Sequence, residues 1–334
     1  MTRDAELVSL FSRSWWIGLC LIIPALLPAS EPADDGSVAK MLQRMVHAMR
    51  SMDYEGTFVH LHGDRLEAMR ILHAVEAGQE REQLISLNGT TREVIRDRQF
   101  VACMLPGTRT IAVDKRGIAQ DLWRSFPIDS DTLANNYLLH PLGSVRVADR
   151  QTDVVGIIPR DAYRYGYRFY LDRETGLPLK TDLMDEAARP IEQIMFTRLD
   201  LDPRREPKAM FQDPPESTWQ AKPANSPRGT LPKAKHWRFG RLPAGFDLVV
   251  HDDWQDEKGA AVEHFLLSDG LASVSVYVEP NTQEGLDGGS RMGATNAWGG
   301  VVSGYRVTAV GEVPEATVRE AVHAIELLPE VAQQ

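Results

Sequence analysis

Residues 162–172 read Ala-Tyr-Arg-Tyr-Gly-Tyr-Arg-Phe-Tyr-Leu-Asp, an alternation that admits few folds. In a β-strand, successive side chains point to opposite faces, so Tyr163, Tyr165, Tyr167, Phe169 and Leu171 fall on one side and Arg164 and Arg168 on the other. A turn over 172–176 ends in Gly176, and a second alternating stretch over 177–183 completes a predicted β-hairpin. A face this aromatic belongs either to a core under a covering layer or to the wall of a lipid-sized groove, and the residues alone leave both readings open.

The first thirty residues predict export. Arg3 and Arg13 precede an apolar run over 17–27, and small residues at Ala29 and Ser30 close it, the layout of a signal peptide over 1–30. A membrane anchor is the competing reading, but the run is shorter than the roughly 20 residues needed to span a bilayer. Bulky Leu19 before Cys20 argues against lipidation. Arg3 and Arg13 cancel Asp4 and Glu6, so the mature chain keeps the formal charge of -10, which disfavours nucleic acid as a partner. Only Cys103 then remains, in the apolar run 100–105, so no internal disulfide forms and a buried thiol is expected.

The length suggests two domains of an α+β class. A proline-rich stretch over 203–235 reads as a linker between a domain over 31–202 and a smaller one over 236–330. The region 232–334 holds 8 basic and 15 acidic residues, so the second domain is the acidic one and attracts a basic segment. The first domain opens with an amphipathic helix in which Val38, Leu42, Met45, Val46, Met49 and Met52 form a stripe, with Ser37 as its N-cap. Short strands follow at 56–62, 65–74, 80–87, 91–97 and 100–105, the first two joined at Gly63-Asp64, predicting an antiparallel meander. The second domain predicts strands at 246–251, 261–268, 272–279 and 305–311, then a helix from Pro314 burying Val318, Val322, Ile325 and Leu328. Between them, the glycine-rich 288–300 reads as a loop, either mobile or open to close approach by a ligand.

Hydrolase, zinc and redox signatures are missing, so no catalytic residue and no cofactor is assigned. His60 and His62 share a strand face, with His73 on the neighbouring strand. With a two-residue turn, His60 lies opposite Glu67 and His62 opposite Arg65, which favours cross-strand polar pairing over a metal site. Met45 and Met49, whose thioethers adapt to varied shapes, join Tyr163, Tyr165, Tyr167 and Phe169 as candidates for an acyl-chain groove. Arg164, Arg168 and Lys180 are candidates for an anionic lipid headgroup, with a solvated outer face as the plainer reading.

Several blocks in order resemble the RseB/MucB family: 53–59, 67–73, Ser86-Leu87-Asn88-Gly89 with Arg92-Glu93-Val94, 163–168, 175–180, Gly293-Ala294-Thr295-Asn296 and 310–314. The likeness covers almost the whole mature chain. It implies a large unclosed antiparallel β-barrel packed on helices, as in the LolA/LolB lipoprotein carriers, and a smaller sheet-plus-helix domain. It also implies a periplasmic regulator without enzyme activity, which shields the periplasmic segment of a single-span anti-sigma factor from a site-one protease until lipopolysaccharide or another acyl lipid releases it. Partner contacts are then expected at Arg291, Asn296, Trp298 and Tyr305, although Ala297-Trp298-Gly299-Gly300 departs from the family's Val-Tyr-polar pattern. A periplasmic lipoprotein or lipid carrier is the alternative, an exported hydrolase a third, and a homo-oligomer is left open.

Overall fold

The computed structural model describes residues 35–76, 78–89, 93–96, 100–104, 110–114, 130–201, 219–222, 237–255, 259–281 and 285–328. The expected signal peptide and most of the expected linker lie outside them. Helix α1 (Asp35–Ser51) starts two residues before Ser37, which therefore sits inside the first turn rather than capping it. It is followed by β1 (Tyr54–His62), β2 (Arg65–Glu76), β3 (Gln79–Ser86), β4 (Glu93–Arg96), β5 (Phe100–Met104) and β6 (Thr110–Asp114). Helix α2 (Ser130–Asn136) leads into β7 (Tyr137–Val147), β8 (Arg150–Pro159), β9 (Gly166–Asp172), β10 (Pro178–Met184), β11 (Pro190–Asp200) and β12 (Trp219–Lys222). The remaining elements are β13 (Trp237–Phe239), β14 (Asp247–Gln255), β15 (Ala261–Ser268), β16 (Ser273–Pro280), β17 (Gly288–Met292), β18 (Thr295–Val302), β19 (Tyr305–Gly311), α3 (Glu315–Ala324) and β20 (Ile325–Leu327).

Strands β1 to β12 form one sheet in the order β12-β6-β5-β4-β3-β2-β1-β11-β10-β9-β8-β7, unclosed because β12 and β7 remain as edges. Its pairs are antiparallel except β12, which runs parallel to β6. That strand lies within the stretch read as a plain linker, so the chain leaving the first sheet is first stitched to its edge. Strands β14 to β19 form a second sheet in the order β14-β15-β16-β19-β18-β17, and β13 pairs with β20. The glycine-rich segment read as a loop is the β17–β18 hairpin. The architecture is mostly β, with sheets backed by helices, and the described residues fall in one compact unit.

Two cores flank the first sheet. Val38, Leu42, Met45 and Val46 of α1 bury against Tyr137, Leu139, Val155, Ile157, Tyr167, Phe169, Leu171 and Leu183. Each such side chain contributes about 1.5–3 kcal/mol by leaving water. Ala48 and the strand residues Tyr54, Phe58, Ile71, Leu177 and Leu179 make a neighbouring cluster. In the second sheet, Phe265, Leu267, Val274, Val276, Val307 and Ala309 face Val318, Ala321 and Val322 of α3. Ile325 is buried as expected, but in β20 rather than in the helix.

The β9–β10 turn shows how the fold secures a long hairpin. Gly176 has φ +85, and a side chain there would press on the backbone of Arg44 in α1, so both the left-handed conformation and the close approach call for glycine. Arg44 donates from Nη2 to the carbonyls of Arg173 at 3.1 Å and Glu174 at 3.0 Å, tying helix to turn. Buried Asp172 accepts from Arg150 Nε at 2.9 Å and Nη2 at 3.0 Å, and from the Thr175 amide and hydroxyl at 3.0 and 2.7 Å. Burial works to raise its pKa, but these bonds prevail and hold it below the usual carboxylate range. A lowered acid pKa stabilises the fold above the unfolded value and loses that contribution as pH falls through the folded one. Asp172→Asn is therefore expected to cost about 2–3 kcal/mol at neutral pH, with the penalty shrinking below about pH 4. Urea midpoints of both proteins across that range check this; a pH-independent difference would count against it.

Candidate functional site

The two sheets meet around a buried ion pair. Arg164 lies in the bend 160–164, which breaks the predicted strand before Gly166 and turns this side chain inward. Its Nε is 3.1 Å from Asp269 Oδ2, both side chains fully enclosed, and its Nη2 donates to the Ala244 carbonyl at 2.5 Å. The guanidinium also lies over the rings of Tyr137 and Phe246, at 5.5 and 5.0 Å. Tyr137 donates its hydroxyl to Asp269 Oδ2 at 2.9 Å, while the other carboxylate oxygen takes the amides of Leu271 and Ala272. Burial first, and then the Asp269 charge, push the Tyr137 phenol well above its ordinary pKa. Alongside, Asn296 donates to the Tyr165 hydroxyl at 3.0 Å and to the Val313 carbonyl at 2.7 Å, and Thr317 donates to the Tyr163 carbonyl at 2.5 Å. The junction is thus a polar network in which most members have a stated partner across the seam.

Beside it lies a cavity of about 520 Å³, lined by Tyr167 from the first sheet, by Val249, Leu266, Ser273, Ser275, Thr295 and Val310 from the second, and by Leu271 and Glu312 next to its strands. Its size is in the range that takes small ligands. Val249 belongs to β14, an edge strand with one neighbour among the described residues. The β14–β15 register shifts between Leu248 and Val250, which leaves Val249 as a bulge. Leu248, Val249 and Val250 are 48%, 54% and 37% exposed, an apolar run on an open edge flanked by Asp247, Asp252 and Asp253. An edge strand with free backbone groups and exposed apolar side chains can accept an added strand.

The residues singled out from sequence are mostly relocated by this geometry. Met45, Tyr165, Tyr167 and Phe169 are buried in the first core, with Tyr167 and Phe169 stacked 5.7 Å apart and Tyr167 also lining the cavity; Met49 packs on its margin and Tyr163 lies in the bend. Arg164 is a buried anchor, not a headgroup ligand. Lys180 is paired with Asp182 at 3.1 Å above the Tyr170 ring, and Arg168 sits opposite that same Asp182 across the β9–β10 pair. Arg164 is thus separated from the other two cations, and Lys180 is already paired. Of the partner candidates, Asn296 is buried in the junction, Trp298 and Tyr305 pack half-buried on the second core, and Arg291 is exposed. Asp269 and Val249 were missed, because nothing local marks a lone carboxylate or a bulge.

The β1–β2 register is as predicted, His60 opposite Glu67 and His62 opposite Arg65. Strand β11 on the other side of β1 adds Glu192, whose carboxylate lies 2.5 Å from His60 Nε2 and 3.3 Å from His62 Nδ1. Buried His73 faces elsewhere, stacked on Tyr54 and bonded through Nδ1 to the Met52 carbonyl.

Comparison with known proteins gives these features a context. The MucB/RseB N-terminal domain family matches residues 37–221, and the MucB/RseB C-terminal domain family matches 232–326. The sigma factor AlgU regulatory protein MucB of Pseudomonas aeruginosa is 32% identical over 95% of this chain and 98% of its own. A solved complex of Pseudomonas aeruginosa MucA and MucB superposes with TM-score 0.68 at 28% identity, covering 88% of this chain and 99% of that one. A crystal structure of MucB gives TM-score 0.57 at 30% identity over 88% of this chain and 98% of that one. Matched along nearly its whole described length, this chain belongs to the MucB/RseB family of sigma-factor regulatory proteins, which are not enzymes.

Proposed function

We propose that this protein acts in the periplasm, holding the periplasmic segment of a single-span anti-sigma factor and hiding it from proteolysis until a lipid releases it. The observation that carries this reading is the likeness to MucB solved with MucA, which spans both halves of the chain. In this chain the seat favoured for the segment is the β14 edge, where backbone pairing supplies affinity and the apolar run supplies side-chain contacts. The acidic flank at Asp247, Asp252 and Asp253 suits a basic segment. With α1 packed over most of the aromatic face, the seat favoured for an acyl chain of lipopolysaccharide is the cavity between Tyr167 and the second sheet. Both ligands would touch Val249, and a chain wedged there would also press on the Arg164–Asp269 junction. Partner and lipid should therefore weaken each other's binding.

The test uses mature chain 31–334, the periplasmic segment of the anti-sigma factor from the same organism, and its site-one protease. The segment is expected to survive with the protein present and to be cut once lipopolysaccharide is added. Equal cleavage with and without the protein would overturn the shielding role. Protection that lipopolysaccharide leaves unchanged would overturn the release.

A further inference from the structure

His60 and His62 are two apart on β1, which sends both imidazoles to one side of the sheet. Glu192 stands opposite His62 on β11 and reaches both rings, so ligand atoms of all three side chains lie within 4.8 Å of one another. This is the one such group of three among the described residues. The side chains are 24%, 32% and 16% exposed, sheltered yet open to a small solute. A side chain at Gly293, in the β17–β18 turn at φ +61, would collide with the His62 ring, so that turn holds the ring in place. We propose that His60, His62 and Glu192 form a binding site for a divalent transition-metal ion, for which zinc suits the donor set best.

Two imidazole nitrogens and a carboxylate are the ligand types that zinc takes at about 2.0–2.2 Å, with water free to complete a tetrahedron. Local charge points the same way. With neutral imidazoles, Glu192 and the nearby Glu312 leave a net charge of minus two, which a dication offsets. Without metal, a single carboxylate must serve both rings. With metal, it becomes one ligand among three and the rings bind as neutral donors. Since His62 rests on the β17–β18 turn, an ion here would stiffen the seam between the sheets.

The experiment takes tag-free mature chain stripped with chelator and titrates it with Zn²⁺ by calorimetry, then with Co²⁺ by visible absorption. One equivalent of saturable binding is expected, with intense cobalt bands of tetrahedral nitrogen–oxygen coordination. Affinity should fall by at least about 10–100-fold in His62→Ala and Glu192→Gln, the loss that even an outer-shell partner's removal brings. Metal-free melting curves establish that the variants fold, and the cobalt spectrum of the unaltered protein decides the matter if they do not. Absence of saturable binding in the unaltered protein, a cobalt spectrum of hexa-aquo type, or equal affinity in folded variants would overturn the site.

Discussion

Arg164→Ala is expected to lower the stability of the mature protein by about 3–5 kcal/mol, because it strands the Asp269 carboxylate in a site with no access to water. Part of the loss comes from Tyr137 and Phe246, whose rings lose the cation above them. The pair itself is not thereby worth that much, since burying two charges costs several kcal/mol per ion. Replacing both partners by apolar residues of similar volume, Arg164→Met with Asp269→Leu, should recover a large share of the loss. Recovery will be partial because Asp269 also receives the amides of Leu271 and Ala272 and the Tyr137 hydroxyl. Urea denaturation of the two single variants and the double variant gives the cycle, and a single-variant loss below about 1 kcal/mol would contradict a closed junction.

Val249→Asp is expected to weaken binding of the anti-sigma segment by about 10–100-fold, since on the proposed seating an apolar contact at the centre of the added strand would be replaced by a charge needing water. Val249 is more than half exposed, so the melting temperature should barely move. Leu66→Asp, equally exposed at the β1–β2 tip of the other sheet, is the control expected to bind normally. Calorimetry with the synthetic segment distinguishes them. Equal weakening by both substitutions, or by neither, would remove β14 from the interface.

What the sequence disclosed follows the range of the forces involved. The β1–β2 register was readable because Gly63-Asp64 is a local turn that fixes every pair behind it. The neighbour on the other side of β1 was not, since β11 lies some 130 residues on and pairing at that distance leaves no local mark; with it Glu192 was lost. Residues 163–171 alternate without interruption, yet the strand starts at Gly166 because Asp161 turns back to accept the Tyr163 amide at 3.0 Å. An aspartate two residues ahead is a recognisable turn signal, and weighing it would have removed Arg164 from the outer face. The β17–β18 hairpin escaped because its glycines offer neither apolar alternation nor β-propensity, and it is held by β19 and by the approach of other segments. The family, by contrast, was legible, since several ordered blocks specify far more than any one element does.

The pairing of β12 with β6 shortens the tether between the sheets. If the junction were to open while that strand held, only residues 223–236 would connect them, and fourteen residues span at most about 50 Å. The second sheet could then never diffuse away, and re-closure would compete at an effective concentration in the millimolar range, about that set by a short linker. Under the proposed release, a ligand would have to outlast continual recapture, so its residence time would set the response, and the protein would reset once the ligand departed.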